Sequence, residues 1–221
     1  MELDPSINKK YPGLVTGYAI ARGVKVEKTV SGLEEEKRKV FKELKSKYGM
    51  TPITEIPEIG IYREFYKLMG VDPSKIKPPT EYLLRRAIEE RFPNINNLVD
   101  SCLLATVKHW IVVGVYDLDT VEGEPKVTVA TKAEKFELID GKEATLSVGE
   151  VILRDSAKII SAYTAGDAKR SMITPKTKNA LIVAWNAPEI SKARVEEALA
   201  TIGDYVQKFC YGKIAESKVL G

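Results

Sequence analysis

Several groups of side chains in this sequence have the types and spacing to do chemistry. Arg63, Glu81 and Arg85 set two guanidinium groups and a carboxylate on adjacent helical segments. Together they would hold a carboxylate or phosphate bidentately. The alternative is a surface ion-pair network, worth about 0–1 kcal/mol per pair. Asn97 and Asp100 fall on one buried helical stretch, where each polar group needs a partner: a ligand, a cap or a helix–loop tether. Asp117 and Asp119 flank Leu118 at the end of an apolar run. Paired carboxylates suit hard cations, but aspartates also end strands and cap turns. The loop from Thr164 to Ser171, with Asp167 and Arg170, continues into Thr174-Pro-Lys-Thr-Lys178, the most basic and least apolar part of the chain. Glycine, hydroxyls and cations in one loop would hold a phosphate. The ordinary alternative is a solvated hairpin, and the absence of an interleaved aromatic residue for base stacking counts against general single-strand binding.

Nucleophilic chemistry has little support. The two cysteines, Cys102 and Cys210, each sit in an apolar helical pattern without a second Cys or His at metal-ligand spacing. They read as buried free thiols. His109 is the one histidine; at a helix end, a cation there would complement the helix dipole. No metal site and no cofactor motif are expected.

Composition bounds the class. The 221 residues are 44% hydrophobic with a net charge of +3 and a mean hydropathy of -0.17, which predicts a globular protein of one domain, 1–221. The longest apolar run, Trp110 to Tyr116, falls well short of the roughly 20 residues that cross a bilayer, so no membrane partner is expected. MELDPSINKK lacks the pattern of a signal peptide, and the chain reads as cytoplasmic. Many Lys and Glu residues with a single glutamine, Gln207, suit a protein from a hot environment. A charge of this size does not by itself announce nucleic acid.

The periodicity supplies the elements that must position these residues. Leu14 to Val26 alternates as a strand. Ser31 and Glu34 have capping-box spacing at the start of a helix closed by Gly49. A second helix over 57–69 is expected to bury Ile61, Phe65 and Leu68. Prolines fix 71–79 as a loop, and Thr80 is expected to cap a third helix. Asn96 to Lys108 reads as a deeply buried helix. Strands follow at 110–116, 126–130, 135–139, 150–154, 158–163 and 180–185, then a last helix from Ser191 to Tyr211. Residues 1–10 and 215–221 offer little to bury and are expected to be loose. Strand, helices, many strands and a helix without a repeating βα unit predict an α+β fold, a helical layer on a mostly antiparallel sheet or barrel.

The stretch Val99-Asp100-Ser101-Cys102-Leu103, followed by Val112-Val113-Gly114-Val115-Tyr116-Asp117-Leu118-Asp119, resembles the B3/B4 domain of the phenylalanyl-tRNA synthetase beta subunit. There the corresponding run reads Val-Asp-x-Thr-Asn, then Pro-Met-His-Ala-Phe-Asp-Leu-Asp. Ala130 to Glu134, Ile139-Asp140-Gly141 and Val151 to Asp155 continue the resemblance, which extends to about Val183. Tyr62-Arg63, Gly70-Val71-Asp72-Pro73 and Thr80-Glu81-Tyr82-Leu83-Leu84-Arg85-Arg86 resemble the free-standing branch of that family.

The resemblance implies a three-layer β/β/α architecture. It also implies a tRNA or the 3′ end of an aminoacyl-tRNA as partner, and removal of a wrongly attached amino acid by ester hydrolysis. The pocket it implies would draw on Arg63, Glu81, Arg85, Asn97, Asp100, Cys102, Gly114, Asp117, Asp167, Arg170 and Thr174. This sequence departs from the family at the polar positions: Cys102 stands for a threonine, Gly114 for a histidine and Val183 for a carboxylate. Two expectations result, a deacylase acting in trans without the family's substrate, or a non-catalytic module for tRNA or an amino-acid-like ligand. Catalytic residues and oligomeric state stay open. Charging a tRNA is not expected, since nothing resembles a synthetase catalytic domain or an ATP-binding motif.

Overall fold

The structure, a computed structural model, describes residues 1–221. In chain order its elements are β1 (Glu2–Leu3), α1 (Pro5–Lys10), β2 (Thr16–Arg22), α2 (Ser31–Tyr48), α3 (Pro57–Leu68), α4 (Pro79–Ile88), α5 (Asn97–His109) and β3 (Val112–Asp117). Next come β4 (Lys126–Val129), β5 (Lys135–Glu137), β6 (Glu143–Thr145), β7 (Val151–Arg154), β8 (Ile159–Ala162), β9 (Gly166–Asp167), β10 (Asn179–Trp185), α6 (Lys192–Cys210) and β11 (Lys213–Leu220).

The fold is α+β and mostly antiparallel. One sheet has the order β11-β2-β10-β3, a second β1-β4-β7-β8-β9, and β5 with β6 forms a separate hairpin. Only β1 and β4 pair in parallel. Helices α5 and α6 pack on each other and on the first sheet. Gly17 lets α6 sit down on β2, because a Cβ there would stand 2.7 Å from Leu199 Cδ1 and Val195 Cγ1. Val195, Ile202 and Val206 of α6 are fully buried, each contributing about 1.5–3 kcal/mol. One apolar cluster joins Ile7 of α1, Val40 of α2, Tyr62 of α3, Leu84 of α4 and Leu98 of α5 to Val127, Ile160 and Val183 of the two sheets.

Both ends of the chain differ from the expectation of loose tails. Asp4 accepts a hydrogen bond from the Ser6 amide at 2.9 Å and caps α1, whose Ile7 is fully buried. At the other end β11 pairs along β2 from Lys213 to Leu220, with a bulge between Ile214 and Glu216. These segments have too little apolar periodicity to announce themselves. Backbone pairing, with few buried side chains, holds β11 in place.

Three local expectations are corrected. Ser31 is the first helical residue rather than the cap, Val30 takes the cap position, and Glu34 pairs with Lys37 at 2.7 Å. Thr80 lies inside the first turn of α4 after Pro78 and Pro79, its hydroxyl buried without a partner. On α3 the buried residues are Ile59, Tyr62, Phe65 and Tyr66, while Leu68 is exposed.

The junction between α5 and β3 is built on one aromatic residue. Trp110 ends α5 in the left-handed region at φ 59, unusual for a bulky side chain. Its ring packs edge-on to Tyr48 with centroids 5.5 Å apart, and its carbonyl accepts from the Tyr62 hydroxyl at 2.6 Å. These contacts fix where β3 begins.

Candidate functional site

Strands β3 and β10 run antiparallel with Gly114 opposite Val183 and Val112 opposite Trp185. Alternation along β3 puts Val112, Gly114 and Tyr116 on one face. Two of the three positions at which the resemblance implies a polar side chain, Gly114 and Val183, thus lie directly across one ladder, and neither supplies a polar group. Tyr116 fills the gap instead: its ring folds back over Gly114, so a Cβ on Gly114 would overlap the Tyr116 hydroxyl and lie 2.6 Å from Cζ.

Beside this pair is a hollow of ≈ 210 Å³. Pro79 and Leu83 of α4, Leu103 and Thr106 of α5, and Val112 to Gly114 with Tyr116 of β3 form part of its wall. Trp185, Ser161, Ala162, Tyr163, Gly166 and Asp167 complete it. Most of the wall is apolar. Thr106 spends its hydroxyl on the Cys102 carbonyl at 3.2 Å, and Tyr163 donates to the Asn186 carbonyl at 2.8 Å.

The half-buried carboxylate of Asp167 is the charged group of this wall. Its Oδ1 accepts from the Ser161 hydroxyl at 2.7 Å and from the Tyr116 hydroxyl at 3.1 Å. Oδ2 takes no bond from the chain. Burial raises the Asp167 carboxyl above the ordinary carboxylate range, against the two hydrogen bonds that lower it. Burial, together with the charge of Asp167, pushes the Tyr116 hydroxyl well above its ordinary value, so it acts as a donor. A carboxylate oriented by two hydroxyls, with one oxygen free, can take a proton from a water or pair with an ammonium group.

Of the residues singled out from the sequence, Gly114 and Asp167 meet here. The others are placed elsewhere or already engaged. Asn97 ties α5 to two neighbouring segments, donating to the Lys25 and Phe209 carbonyls and accepting from the Glu27 amide at 2.8 Å. Asp100 is buried, bound to Lys37 Nζ at 2.7 Å and to the Ile95 amide at 2.9 Å. Asp117 accepts from the Thr177 hydroxyl and the Asp119 amide, and Asp119 accepts from Asn179. Arg63 Nη1 meets the buried Glu81 at 2.8 Å, with Arg85 at 3.9 Å from the same carboxylate; Glu81 lies between Pro79 and Leu83 on α4 but not in the wall. Thr174 is bonded to Thr177.

Arg170 lines a different, more charged hollow of ≈ 310 Å³. Its guanidinium is used within the fold, on the Ile159 and Thr120 carbonyls and on Asp155. Burial pushes Asp155 up, yet Arg170 and the amides of Glu122, Lys158 and Ala157 together hold its carboxyl below the usual range.

Cys102 and Cys210 are buried free thiols, both pushed up by burial, Cys210 to about 12. His109 departs from its expected cationic role. It closes α5, but burial lowers its pKa, and its Nε2 meets the Thr201 hydroxyl at 2.8 Å.

Sequence reasoning missed Ser161 and Tyr116. Ser161 was visible only as the hydroxyl inside the apolar run Ile159–Ala162, and Tyr116 as the aromatic two residues beyond Gly114.

Comparisons with known proteins bear on the family and the fold. The B3/4 domain family matches residues 61–211. The phenylalanine–tRNA ligase beta subunit of Fusobacterium nucleatum is 28% identical over 133 residues, 59% of this chain and 17% of that subunit. The beta subunit of Bifidobacterium longum is 29% identical over 150 residues, 65% of this chain and 17% of the subunit. The chain thus matches about a sixth of the length of these curated relatives. An N-terminal fragment of the phenylalanyl-tRNA synthetase beta-subunit from Pyrococcus horikoshii shares the fold, with a TM-score of 0.53 and 14% identity, over 100% of this chain and 53% of the fragment. No helix is long and apolar enough to cross a membrane. With the match running from α3 to the end of α6, the chain belongs to the B3/4 domain family.

Proposed function

We propose that the hollow beside Gly114 receives the amino-acid end of an aminoacyl-tRNA and that the protein hydrolyses the ester in trans. The observation that carries this reading is the Asp167 carboxylate in the wall of a small, mostly apolar hollow, with Ser161 and Tyr116 bonded to one oxygen and the other without a bond from the chain. At ≈ 210 Å³ the hollow is smaller than sites for drug-sized ligands, about 300–1,000 Å³, and suits a single amino-acid side chain.

In the reaction a water oxygen bonds to the ester carbonyl carbon while Asp167 takes the water proton. The carbon–oxygen bond to the ribose then breaks, and the proton passes to the leaving ribose oxygen. A carboxyl with a raised pKa is the better proton acceptor. Leu83, Leu103 and Trp185 would surround an apolar side chain. Tyrosine is not the expected substrate, because Gly114 and Val183 offer no side chain to read its hydroxyl.

A second reading is a non-catalytic module in which Asp167 holds the ammonium of an amino-acid-like ligand. The apolar pair Gly114–Val183 favours it. A panel of mischarged tRNAs separates the two. Deacylation that falls about 100-fold in Asp167→Asn supports hydrolysis. Tight binding without deacylation supports the module, and neither binding nor deacylation refutes both.

A further inference from the structure

Helix α2 lies outside the matched stretch of the family, and with the end of α4 it forms a groove of ≈ 630 Å³. Arg38, Lys42, Lys45 and Ser46 line it from α2, with Glu90 on the far side and Phe41 between. Phe41 packs on Phe92 with centroids 5.0 Å apart, which gives the groove a fixed apolar floor. The ion pairs of α2 are Lys37 with Glu34, Lys37 with Asp100, and Lys45 with Glu90. Arg38 and Lys42, exposed and one helical turn apart, are therefore left without a carboxylate.

Helix α4 joins this groove to the hollow. Its N-terminal half supplies Pro79 and Leu83 to the wall around Asp167, and Glu90 follows its last turn. Ten residues make it about 15 Å long. Between the two ends its outer face carries Tyr82, 42% exposed, with the Arg86 guanidinium 5.1 Å over its ring. Arg85 lies beside them, also exposed. An exposed ring one turn along α4 from Pro79 of the hollow, followed by cations along the helix and across a basic groove, is the combination that binds single strands: bases stack and phosphates are neutralised.

We infer that α4 and the α2 groove form a track for the single-stranded 3′ end of a tRNA, with Tyr82 stacking a base near the hollow and Arg38 and Lys42 holding backbone phosphates. This rests on the reading of the hollow as an aminoacyl site. It differs from the sequence expectation, which looked for phosphate contacts in the 164–178 loop; there Arg170 and Thr174 are engaged within the fold.

Filter binding of the whole protein to bulk tRNA, with and without its 3′ single strand, tests the inference across a salt series. Arg38→Gln/Lys42→Gln removes two exposed cations, and Lys9→Gln/Lys213→Gln removes two exposed cations elsewhere as a charge-matched control. We expect the groove variant to lose about tenfold in affinity and its salt slope to fall by about 1.4, with the control unchanged. Tyr82→Ala should lose about tenfold on intact tRNA and little on trimmed tRNA. Equal weakening by both cation pairs, or indifference to the 3′ strand, would overturn the track. If the wild type deacylates tRNA while the groove variants keep full affinity, the track alone fails. If the wild type binds no tRNA, both it and the tRNA reading fail. Tighter binding of polyglutamate than of tRNA would assign the groove to an acidic protein and also overturn the inference.

Discussion

The Tyr116 hydroxyl occupies the space that a side chain at Gly114 would need, and from there it donates to Asp167. One strand thus supplies, two residues further on, a polar group at a position where its own residue has none. Adding a methyl at 114 must displace the ring. Gly114→Ala is expected to lower stability by about 1–3 kcal/mol in urea unfolding. In a Tyr116→Ala background the same change should cost less, giving a coupling of at least about 0.5 kcal/mol. Additive effects would mean that the ring does not fill that space.

Asp167 makes its own pH prediction. Its folded pKa is raised, so the contribution it makes as a neutral acid is fully present below the unfolded value of 3.8 and is lost as pH rises through the folded value. Asp167→Asn should therefore melt higher than the wild type at neutral pH and no higher below about pH 3.8. If the proposed hydrolysis holds, its rate should rise with pH through the same raised pKa and lose that dependence in the variant. A flat rate profile in the wild type argues against Asp167 as the base.

Asp155 has the opposite sign. Its folded pKa is lowered, so its stabilisation is present above 3.8 and lost as pH falls through the folded value. Asp155→Asn should cost about 1.5–3 kcal/mol at neutral pH, where it breaks a charged contact with Arg170. The difference from wild type should shrink in acid. Because Arg170 holds the loop before β10, the variant should also become sensitive to proteolysis between 164 and 178.

The buried pair of Lys37 and Asp100 joins α2 to α5 at 2.7 Å. Lys37→Met leaves Asp100 without its counter-charge in the core, at a cost of about 3–5 kcal/mol. Lys39→Met, on the exposed face of the same helix, should stay within about 0.5 kcal/mol. Equal small effects would show that Asp100 finds water instead.

Much of the fold was legible because it rests on local pattern. The buried α5, the change to strands after Trp110 and the strands at 126–129, 151–154 and 179–185 all follow from periodicity and turn residues. The site was legible only in part. A polar residue in an apolar stretch announces that it has a partner, but not which one. For Asn97 the partners are the backbone of Lys25 and Phe209, and for Asp100 a lysine on another helix. Those pairings depend on distant parts of the chain. Arg170 read as a free cation for the same reason, while Ser161 and Tyr116 read as ordinary strand residues.

The pairing of β2 with β11 has a consequence for how the protein folds. Strand β2 lies near one end of the sequence and fills an interior place in its sheet, yet one of its neighbours lies near the other end. Contacts of such separation raise the contact order, and closing so long a loop is entropically costly until the pairing is made. The other neighbour of β2, β10, also comes late in the sequence, so both edges of β2 stay unpaired during synthesis until β10 and β11 have been made. Those unpaired edges are the place where another chain can add itself.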